Sequence, residues 1–221
     1  MINVAIDGPA GAGKSTISRA AANVLGFIYI DTGALYRTVG LNALRKNVDL
    51  ENPESIASTL TDELSVELRF VDGEQRMFLN GEDVSKEIRT PEASMAASKV
   101  SAVPAVREYL FDLQKKLAAE NNCIMDGRDI GTVVLPDAKV KIFLTASPES
   151  RAKRRFDELV EKGADVKYED VLEDMKKRDY NDSHREIAPL KPARDAVLLD
   201  TSGFELERSV ALIIKTIKDR L

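Results

Sequence analysis

The chain has 221 residues, of which 43% are hydrophobic and 31% charged, and its formal net charge is −5. This composition supports a folded core and argues against broad nucleic-acid binding, which favours a basic surface. No apolar run is long enough to span a bilayer, and the N-terminus does not resemble a signal peptide. The single cysteine, Cys123, excludes an intrachain disulfide. We expect a cytoplasmic monomer with small-molecule substrates and no nucleic-acid or membrane partner.

A phosphate-binding loop is predicted directly after the short apolar run at residues 4–6. The pattern is Gly, any four residues, Gly-Lys, then Ser or Thr. The predicted loop comprises Gly8, Pro9, Ala10, Gly11, Ala12, Gly13, Lys14, Ser15 and Thr16. Glycines let backbone N–H groups approach an anion, Lys14 suits the outer phosphates, and the Ser15 hydroxyl suits Mg²⁺. Apolar residues then recur at helical spacing (Ile17, Ala20, Ala21, Val24 and Leu25), which predicts a helix after the loop.

A second β–α unit follows. Residues 27–30 are predicted to form a strand, and a helix is expected from Ala34 to about Lys46. Thr32 and Arg37 lie at or just after the carboxyl end of the strand, where open α/β folds collect their ligands. The alternative interpretation is a capped helix start in which Arg37 is an ordinary surface charge.

An antiparallel insert interrupts this alternation of strands and helices. Residues 64–70 alternate apolar and polar side chains, residues 71–74 carry turn-forming types, and residues 76–79 are apolar again. This pattern predicts a β-hairpin with one solvated face. A helix beginning at Pro104 follows, with one apolar stripe (Val106, Leu110, Leu113 and Leu117).

Three further strands are predicted at residues 123–125, 140–144 and 196–199, and a last helix should bury Leu206, Val210, Ile213 and Ile217. The first of these strands leads into Asp126, which resembles the acidic position that helps to hold Mg²⁺ in phosphate-loop proteins. A charged turn is the alternative interpretation. The predicted class is α/β, a P-loop three-layer fold with a five-stranded parallel sheet, a small antiparallel insert and a lid.

Two groups of arginines are candidates for phosphate contacts. Arg151, Arg154 and Arg155 lie three and four positions apart, on one helix face, and the charged stretch 156–167 has the composition of a mobile flap. Arg178 and Arg185 are seven positions apart and would lie nearly aligned on a helix. Solvated helix faces with ion pairs are the alternative, although arginine binds phosphate through planar, bidentate donors.

A phosphate loop indicates nucleoside triphosphate binding, which a small kinase, a switch or a motor could use. The chain is short for a motor, and it lacks the Asn-Lys-any-Asp motif of guanine-specific switches. A small kinase explains the insert and the arginine-rich flap best, because phosphoryl transfer requires positioning, charge neutralisation and exclusion of water. A related kinase for UMP or AMP, or a nucleotide switch, remains as an alternative.

Four motifs resemble those of the bacterial cytidylate kinases, which are nucleoside monophosphate kinases. They are the phosphate loop, DTGALYR at 31–37, DGRDIGTVV at 126–134 and RDYNDSHR at 178–185. The resemblance covers nearly the whole chain. It implies one P-loop kinase domain over residues 1–221, an acceptor-binding insert at about 62–115 and a lid at about 151–168. The implied reaction is phosphoryl transfer from ATP to CMP or dCMP with Mg²⁺.

The resemblance also implies roles for individual residues. Lys14, Arg128 and Arg185 would act in the transfer, with Arg154 and Arg155 near ATP and Ser15 at Mg²⁺; Asp126 as a second ligand of Mg²⁺ or its waters is inferred from its strand-end position and not from the resemblance. Arg37 and Arg128 would hold the CMP phosphate, and Thr32, where the family often carries Ser, would contact the acceptor. Ser98, Arg107 and Asp129 would read cytosine, and Asp182 with Arg178 would contact the ribose. An Asp at position 129 suits the cytosine amino group and disfavours uracil.

Overall fold

The computed structural model describes residues 1–71, 73–161 and 163–221. The turn predicted at 71–74 includes Asp72, and the lid predicted at about 151–168 includes Lys162; both residues lie outside the described ones. The chain forms two compact units, which we call the first unit (Met1–Tyr29 and Asn121–Leu221) and the second unit (Ile30–Glu120). The domain, insert and lid boundaries given above stay predictions.

Strands and helices alternate along most of the chain. In order they are β1 (Asn3–Asp7), α1 (Lys14–Leu25), β2 (Ile28–Asp31), α2 (Thr32–Arg45), α3 (Pro53–Ala57), β3 (Val66–Val71), β4 (Glu74–Leu79), β5 (Glu82–Asp83), a 3₁₀ turn (Glu87–Arg89), α4 (Pro91–Val100), α5 (Pro104–Glu120), β6 (Cys123–Gly127), a π-helical turn (Ile130–Val134), β7 (Val140–Thr145), α6 (Pro148–Glu161), α7 (Tyr168–His184), β8 (Val197–Asp200) and α8 (Leu206–Lys218).

A five-stranded parallel sheet in the order β2-β6-β1-β7-β8 organises the first unit, which confirms the predicted fold class. The central strand β1 buries Val4, Ala5 and Ile6 completely, as expected for a parallel strand covered on both faces. β2 begins in the first unit and ends in the second. Ile17 of α1 and Ile213 of α8 pack into the same hydrophobic core.

One apolar residue predicted to be buried is exposed. Leu206 is 46% exposed, because it is the first residue of α8 and the buried stripe begins one turn later, at Ser209. The prediction of burial was wrong for this side chain, while the helix itself is confirmed. In α1, Val24 belongs to the apolar pattern but is 64% exposed, because the helix turns the small side chains of Ser18 and Ala22 inward where it packs on β6 and α8.

The second unit contains the antiparallel sheet β3-β4-β5 and the helices α2 to α5. The hairpin prediction is confirmed, although the two-residue strand β5 extends it beyond the predicted pair. α2 and α4 approach closely at Gly40, where an added Cβ would lie 3.0 Å from the Ala96 Cβ. Such close packing requires small residues on both helices. The buried face of α5 also includes Gln114, which the predicted apolar stripe leaves out and whose amide donates to the Leu110 carbonyl oxygen.

The single cysteine lies inside the first unit. Cys123 begins β6, has no exposed surface, and its Sγ lies 3.2 Å from Asn3 Oδ1 on β1. Burial raises the pKa of this thiol to about 12. Within the described parts of the chain, none of the helices is both long enough and apolar enough to cross a membrane.

Candidate active site

Glycine backbones shape the loop between β1 and α1. An added Cβ at Gly8 would lie 1.9 Å from the Leu144 carbonyl oxygen, so a larger residue cannot fit without moving β7. Gly11 and Gly13 have φ angles of +72° and +83°, in the left-handed region that other residues rarely adopt. Gly13 is also the N-cap of α1, so the loop runs directly into a helix N-terminus. Backbone N–H groups at such a terminus attract phosphate.

Lys14 is a buried cation at the start of α1. Its Nζ donates a hydrogen bond to the Pro9 carbonyl oxygen across the loop (2.8 Å). Burial, helped by the Arg128 guanidinium, lowers the pKa of Lys14 to about 7, although nearby carboxylates such as Asp126 oppose the shift. A bound polyphosphate would favour the charged ammonium and offset the cost of its burial.

Ser15 and Asp126 form a pair of oxygen ligands beside the loop. The Ser15 hydroxyl donates to Asp126 Oδ2 at 3.0 Å. Mg²⁺ in kinase sites takes one or two protein oxygens together with waters and substrate phosphates. Among residues 1–71, 73–161 and 163–221, no group of three or more His, Cys, Asp or Glu side chains could hold a metal ion. The pair therefore fits a Mg²⁺ ion that is shared with a nucleotide.

Arg128 and Asp182 join the turn after β6 to α7. The Arg128 Nε donates to Asp182 Oδ2 at 2.9 Å, and both side chains are largely buried. Burial alone would raise the pKa of Asp182, but the guanidiniums of Arg128, Arg178 and Arg185 outweigh it and hold this pKa below its ordinary value. Asp182 therefore stays ionised and orients guanidinium donors that can bind phosphate.

Arg185 lies outside the helix on which the sequence prediction placed it. α7 ends at His184, and Arg185 is extended, with φ −64° and ψ 143°. Its Nε donates to the Ala188 carbonyl oxygen at 2.6 Å. Ala188 directly precedes Pro189, which disfavours a helical conformation, and its φ of +48° shows that the segment is not helical. The predicted alignment of Arg178 and Arg185 on one helix was therefore wrong. The Arg185 guanidinium instead faces Asp129, with 3.6 Å between Nη2 and Oδ1.

The three arginines of α6 have different surroundings. Arg151 is buried; its Nη1 donates to the Ala10 carbonyl oxygen of the phosphate loop and to Asp179 on α7, both at 3.0 Å. Arg154 Nη1 lies 3.8 Å from the point where a Cβ on Gly13 would stand. Arg155 pairs with Glu158 on the half-exposed side of its own helix. The structure thus brings Arg151 and Arg154 to the loop but directs Arg155 elsewhere.

In the second unit, Asp31 holds two arginines. Asp31 is the N-cap of α2, accepts the Ala34 N–H, and pairs through Oδ2 with Arg37 (2.8 Å) and Arg89 (3.1 Å). Burial would raise the pKa of Asp31, but the two guanidiniums and the N–H outweigh burial and lower it. The buried Nε of Arg37 finds no hydrogen-bond acceptor among the described residues. An anion beside these arginines could accept from it.

Thr32, Ser98 and Arg107 also belong to the second unit. Thr32 is the first residue of α2 and is buried. Ser98 and Arg107 both contact Ser101, which ends α4: the Ser101 hydroxyl donates to the Ser98 carbonyl oxygen at 2.9 Å, and Arg107 Nη1 donates to the Ser101 carbonyl oxygen at 3.4 Å. The Arg107 guanidinium also stands over the Tyr36 ring, 5.8 Å from its centroid.

Two acidic residues at strand ends, Asp7 and Asp31, are not among the predicted site residues. Asp7 is buried and accepts the backbone N–H groups of Ile130 and Gly131, each at 2.7 Å. An acid that directly follows a buried apolar strand was the available signal for both residues, because ligands collect at these strand ends. No spacing in the sequence signals the pairs of Arg89 with Asp31 or of Arg151 with Asp179.

One description is common to the matching family model and to curated proteins similar to this chain in sequence. A family model described as Cytidylate kinase matches residues 4–219. The cytidylate kinase of Caldicellulosiruptor bescii is 52% identical over 214 residues, 97% of this chain and 94% of that protein. The cytidylate kinase of Lactobacillus johnsonii is 50% identical over 220 residues, 100% of this chain and 95% of that protein. A solved structure of an uncharacterized protein from Eubacterium ventriosum is similar in fold, with a TM-score of 0.54, 14% identity and complete coverage of both chains.

Proposed function

The chain belongs to the cytidylate kinase family, and from this membership we propose that it transfers the γ-phosphoryl group of ATP to CMP or dCMP. The observation that carries the proposal is the identity of about half of the residues over nearly the full length of the curated relatives. In the reaction an acceptor phosphate oxygen forms a bond to the γ-phosphorus. The bond from that phosphorus to the β,γ-bridging oxygen breaks, and ADP leaves.

For the phosphoryl donor, we propose that the N–H groups of the phosphate loop and Lys14 hold the ATP phosphates. The depressed pKa of Lys14 supports this role, because a buried ammonium gains most from a polyanionic partner. We propose that Ser15 and Asp126 hold Mg²⁺, which would screen the phosphate charges when bound. Arg154 beside Gly13 is a candidate contact to the nucleotide, while the ATP contact of Arg155 stays a prediction.

For the transfer itself, the proposal relies on arginines of the first unit. Arg128 would hold the acceptor phosphate, and Arg185 would neutralise charge on the group in transit. The ionised Asp182 orients Arg128 and, with Arg178, would contact the ribose hydroxyls. A general base is not required, because the attacking phosphate oxygen is already ionised. Positioning and charge neutralisation therefore account for the chemistry.

For the acceptor, the proposal assigns residues by their resemblance to the family. Arg37 would bind the CMP phosphate and Thr32 would contact the acceptor. Ser98, Arg107 and Asp129 would read the cytosine edge. The unsatisfied Nε of Arg37 supports an anion at that side chain. Monomeric state, cytoplasmic location and the lack of nucleic-acid partners stay predictions of the sequence.

The test is an assay of ADP production with Mg²⁺-ATP and a panel of CMP, dCMP, UMP, AMP, GMP and no acceptor. We expect CMP and dCMP to give the highest kcat/KM, and omission of Mg²⁺ to abolish turnover. Another preferred acceptor would keep the kinase and overturn the cytosine assignments. If no acceptor stimulates ADP production, the kinase proposal fails and a nucleotide switch becomes the better explanation.

A further inference from the structure

Asp7 stands at the junction between the phosphate loop and the segment that carries Asp129. It is the last residue of β1, directly before Gly8, and its side chain is 3% exposed. Its two carboxylate oxygens accept one N–H group each, from Ile130 and from Gly131, at 2.7 Å. One side chain thus fixes the two peptide groups that immediately follow Asp129.

The backbone that Asp7 holds is unusual. Asp129 has φ −145° and ψ 24°, and a π-helical turn, Ile130–Val134, begins immediately after it. Single π-helical turns are rare and occur often at functional sites. The first N–H groups of a helical turn have no acceptor within that turn. Here the two oxygens of the Asp7 carboxylate accept them.

The side chain of Asp7 is tightly packed, so its carboxylate has little room to move. A Cβ added to Gly131 would lie 3.3 Å from Asp7 Oδ2 and equally close to the side chain of Lys141. Burial, with a smaller contribution from the negative charge of Asp129, raises the pKa of Asp7 to about 6, although the two N–H groups oppose the shift. A side chain that served packing alone would not need a carboxylate in such surroundings.

We propose that Asp7 is a positioning residue for base selection: through the N–H groups of Ile130 and Gly131 it fixes the direction of Asp129, and thereby sets the preference for cytosine over uracil. The inference rests on the proposed function, in which Asp129 accepts from the cytosine 4-amino group. Asp7 itself touches neither the base nor the transferred phosphate in this account.

The experiment compares Asp7→Asn with the wild type by steady-state kinetics for CMP, UMP and ATP. Asparagine keeps the size of the side chain but turns an amide donor toward one of the two N–H groups, which breaks that bond. We expect the ratio of kcat/KM for CMP to that for UMP to fall about tenfold, mainly through a higher KM for CMP, while the KM for ATP changes less than twofold. These values correspond to the loss of one hydrogen bond to a charged group.

Asp195→Asn is the matched control, because it removes the carboxylate partner of Lys141 on the neighbouring strand without touching residues 130 and 131. This variant should keep the wild-type CMP-to-UMP ratio. Gly131→Ala provides a second route if Asp7→Asn does not fold, since its methyl group would press on Asp7 from the other side. We expect a fall in the same ratio, smaller than for Asp7→Asn.

The outcomes separate the inference from the proposed function. A wild type that prefers CMP, together with an unchanged ratio in Asp7→Asn, or in Gly131→Ala where the first variant does not fold, would overturn the positioning role alone. Equal rises in the KM for ATP and for CMP would also overturn it, because they indicate general damage to the loop. A wild type without CMP stimulation would remove the proposed function and this inference together.

Discussion

The strands β1 and β2 each end in a buried aspartate that accepts backbone N–H at the start of a helical turn, yet the two pKa values move in opposite directions. Asp7, in the first unit, accepts two N–H groups and has Lys14 nearby, but burial and the carboxylate of Asp129 outweigh them, and its pKa rises to about 6. Asp31, in the second unit, has Arg37 and Arg89, and its pKa falls. Guanidinium partners therefore decide whether a buried carboxylate keeps its charge, while two backbone N–H groups do not offset burial.

The largest expected effect concerns pH and Asp7. Since its folded pKa lies above the ordinary value of 3.8, the protonated form favours folding below that pH, and this stabilisation is lost as the pH rises towards about 6. Asp7→Asn cannot ionise. The unfolding free energy of the wild type minus that of Asp7→Asn should therefore fall by about 3 kcal/mol between pH 3 and pH 7. Urea unfolding followed by circular dichroism measures this difference.

Asp31→Asn is the control for that experiment, because the pKa of Asp31 is lowered and its contribution to stability therefore changes with pH in the opposite direction. A lowered pKa stabilises the fold above pH 3.8, and the stabilisation is lost as the pH falls through the folded value. The difference in unfolding free energy between the wild type and Asp31→Asn should therefore shrink on acidification and stay constant from pH 5 to 7. Parallel pH profiles for the two variants would contradict the distinction between the two strand ends.

A smaller effect is expected on activity when the charge of Asp31 is removed. Asp31→Asn keeps an acceptor for the Ala34 N–H, since Asn is as good an N-cap as Asp, but it no longer anchors Arg37 and Arg89. We expect kcat/KM for CMP to fall about 30-fold, about 2 kcal/mol, mainly through KM. Asp49→Asn, an exposed aspartate that accepts the Glu51 N–H in the same unit, serves as the control. A change below threefold in Asp31→Asn would argue against the anchoring role.

The smallest effect should follow from removal of the outer arginine. The Arg89 side chain is 48% exposed while that of Arg37 is 18% exposed, and both pair with the same Asp31 oxygen. Exposed ion pairs contribute about 1 kcal/mol or less, so Arg89→Met should raise the KM for CMP about threefold. Arg37→Met should raise it at least tenfold. The reverse order in the kinetic assay would show that the exposed arginine is the principal one.

The sequence predicted well what depends on local pattern. The phosphate loop, the buried strands and the antiparallel hairpin follow from glycine spacing, apolar runs and alternation, and each is confirmed in the structure. The sequence pattern does not reveal where tertiary contacts end a helix, as they do before Arg185. Nor does it reveal which face of α1 packs against the core, as the exposed Val24 shows. Partners distant in sequence, such as Arg151 and Asp179, become neighbours only through packing of α6 on α7.

Asp7 and Asp31 show the same limit within the candidate site. An acid after an apolar strand indicates a strand-end position, and both residues could have been singled out on that ground. The opposite pKa shifts of these two residues could not be predicted from the sequence, because they depend on Arg89 and Asp129, which come from other parts of the same units. Burial and neighbours, rather than residue type, determine how such an acid behaves.

The completely buried thiol of Cys123 is a natural probe for local unfolding of the first unit. A maleimide reacts with thiolate, and with a pKa of about 12 and no exposed surface this group is protected while β6 remains paired with β1. Because the chain has one cysteine, the rate of labelling would record exposure of a single strand, β6, which pairs with the central strand of the first unit. Slower labelling with ATP present would measure how strongly the nucleotide tightens that unit, without any engineered probe.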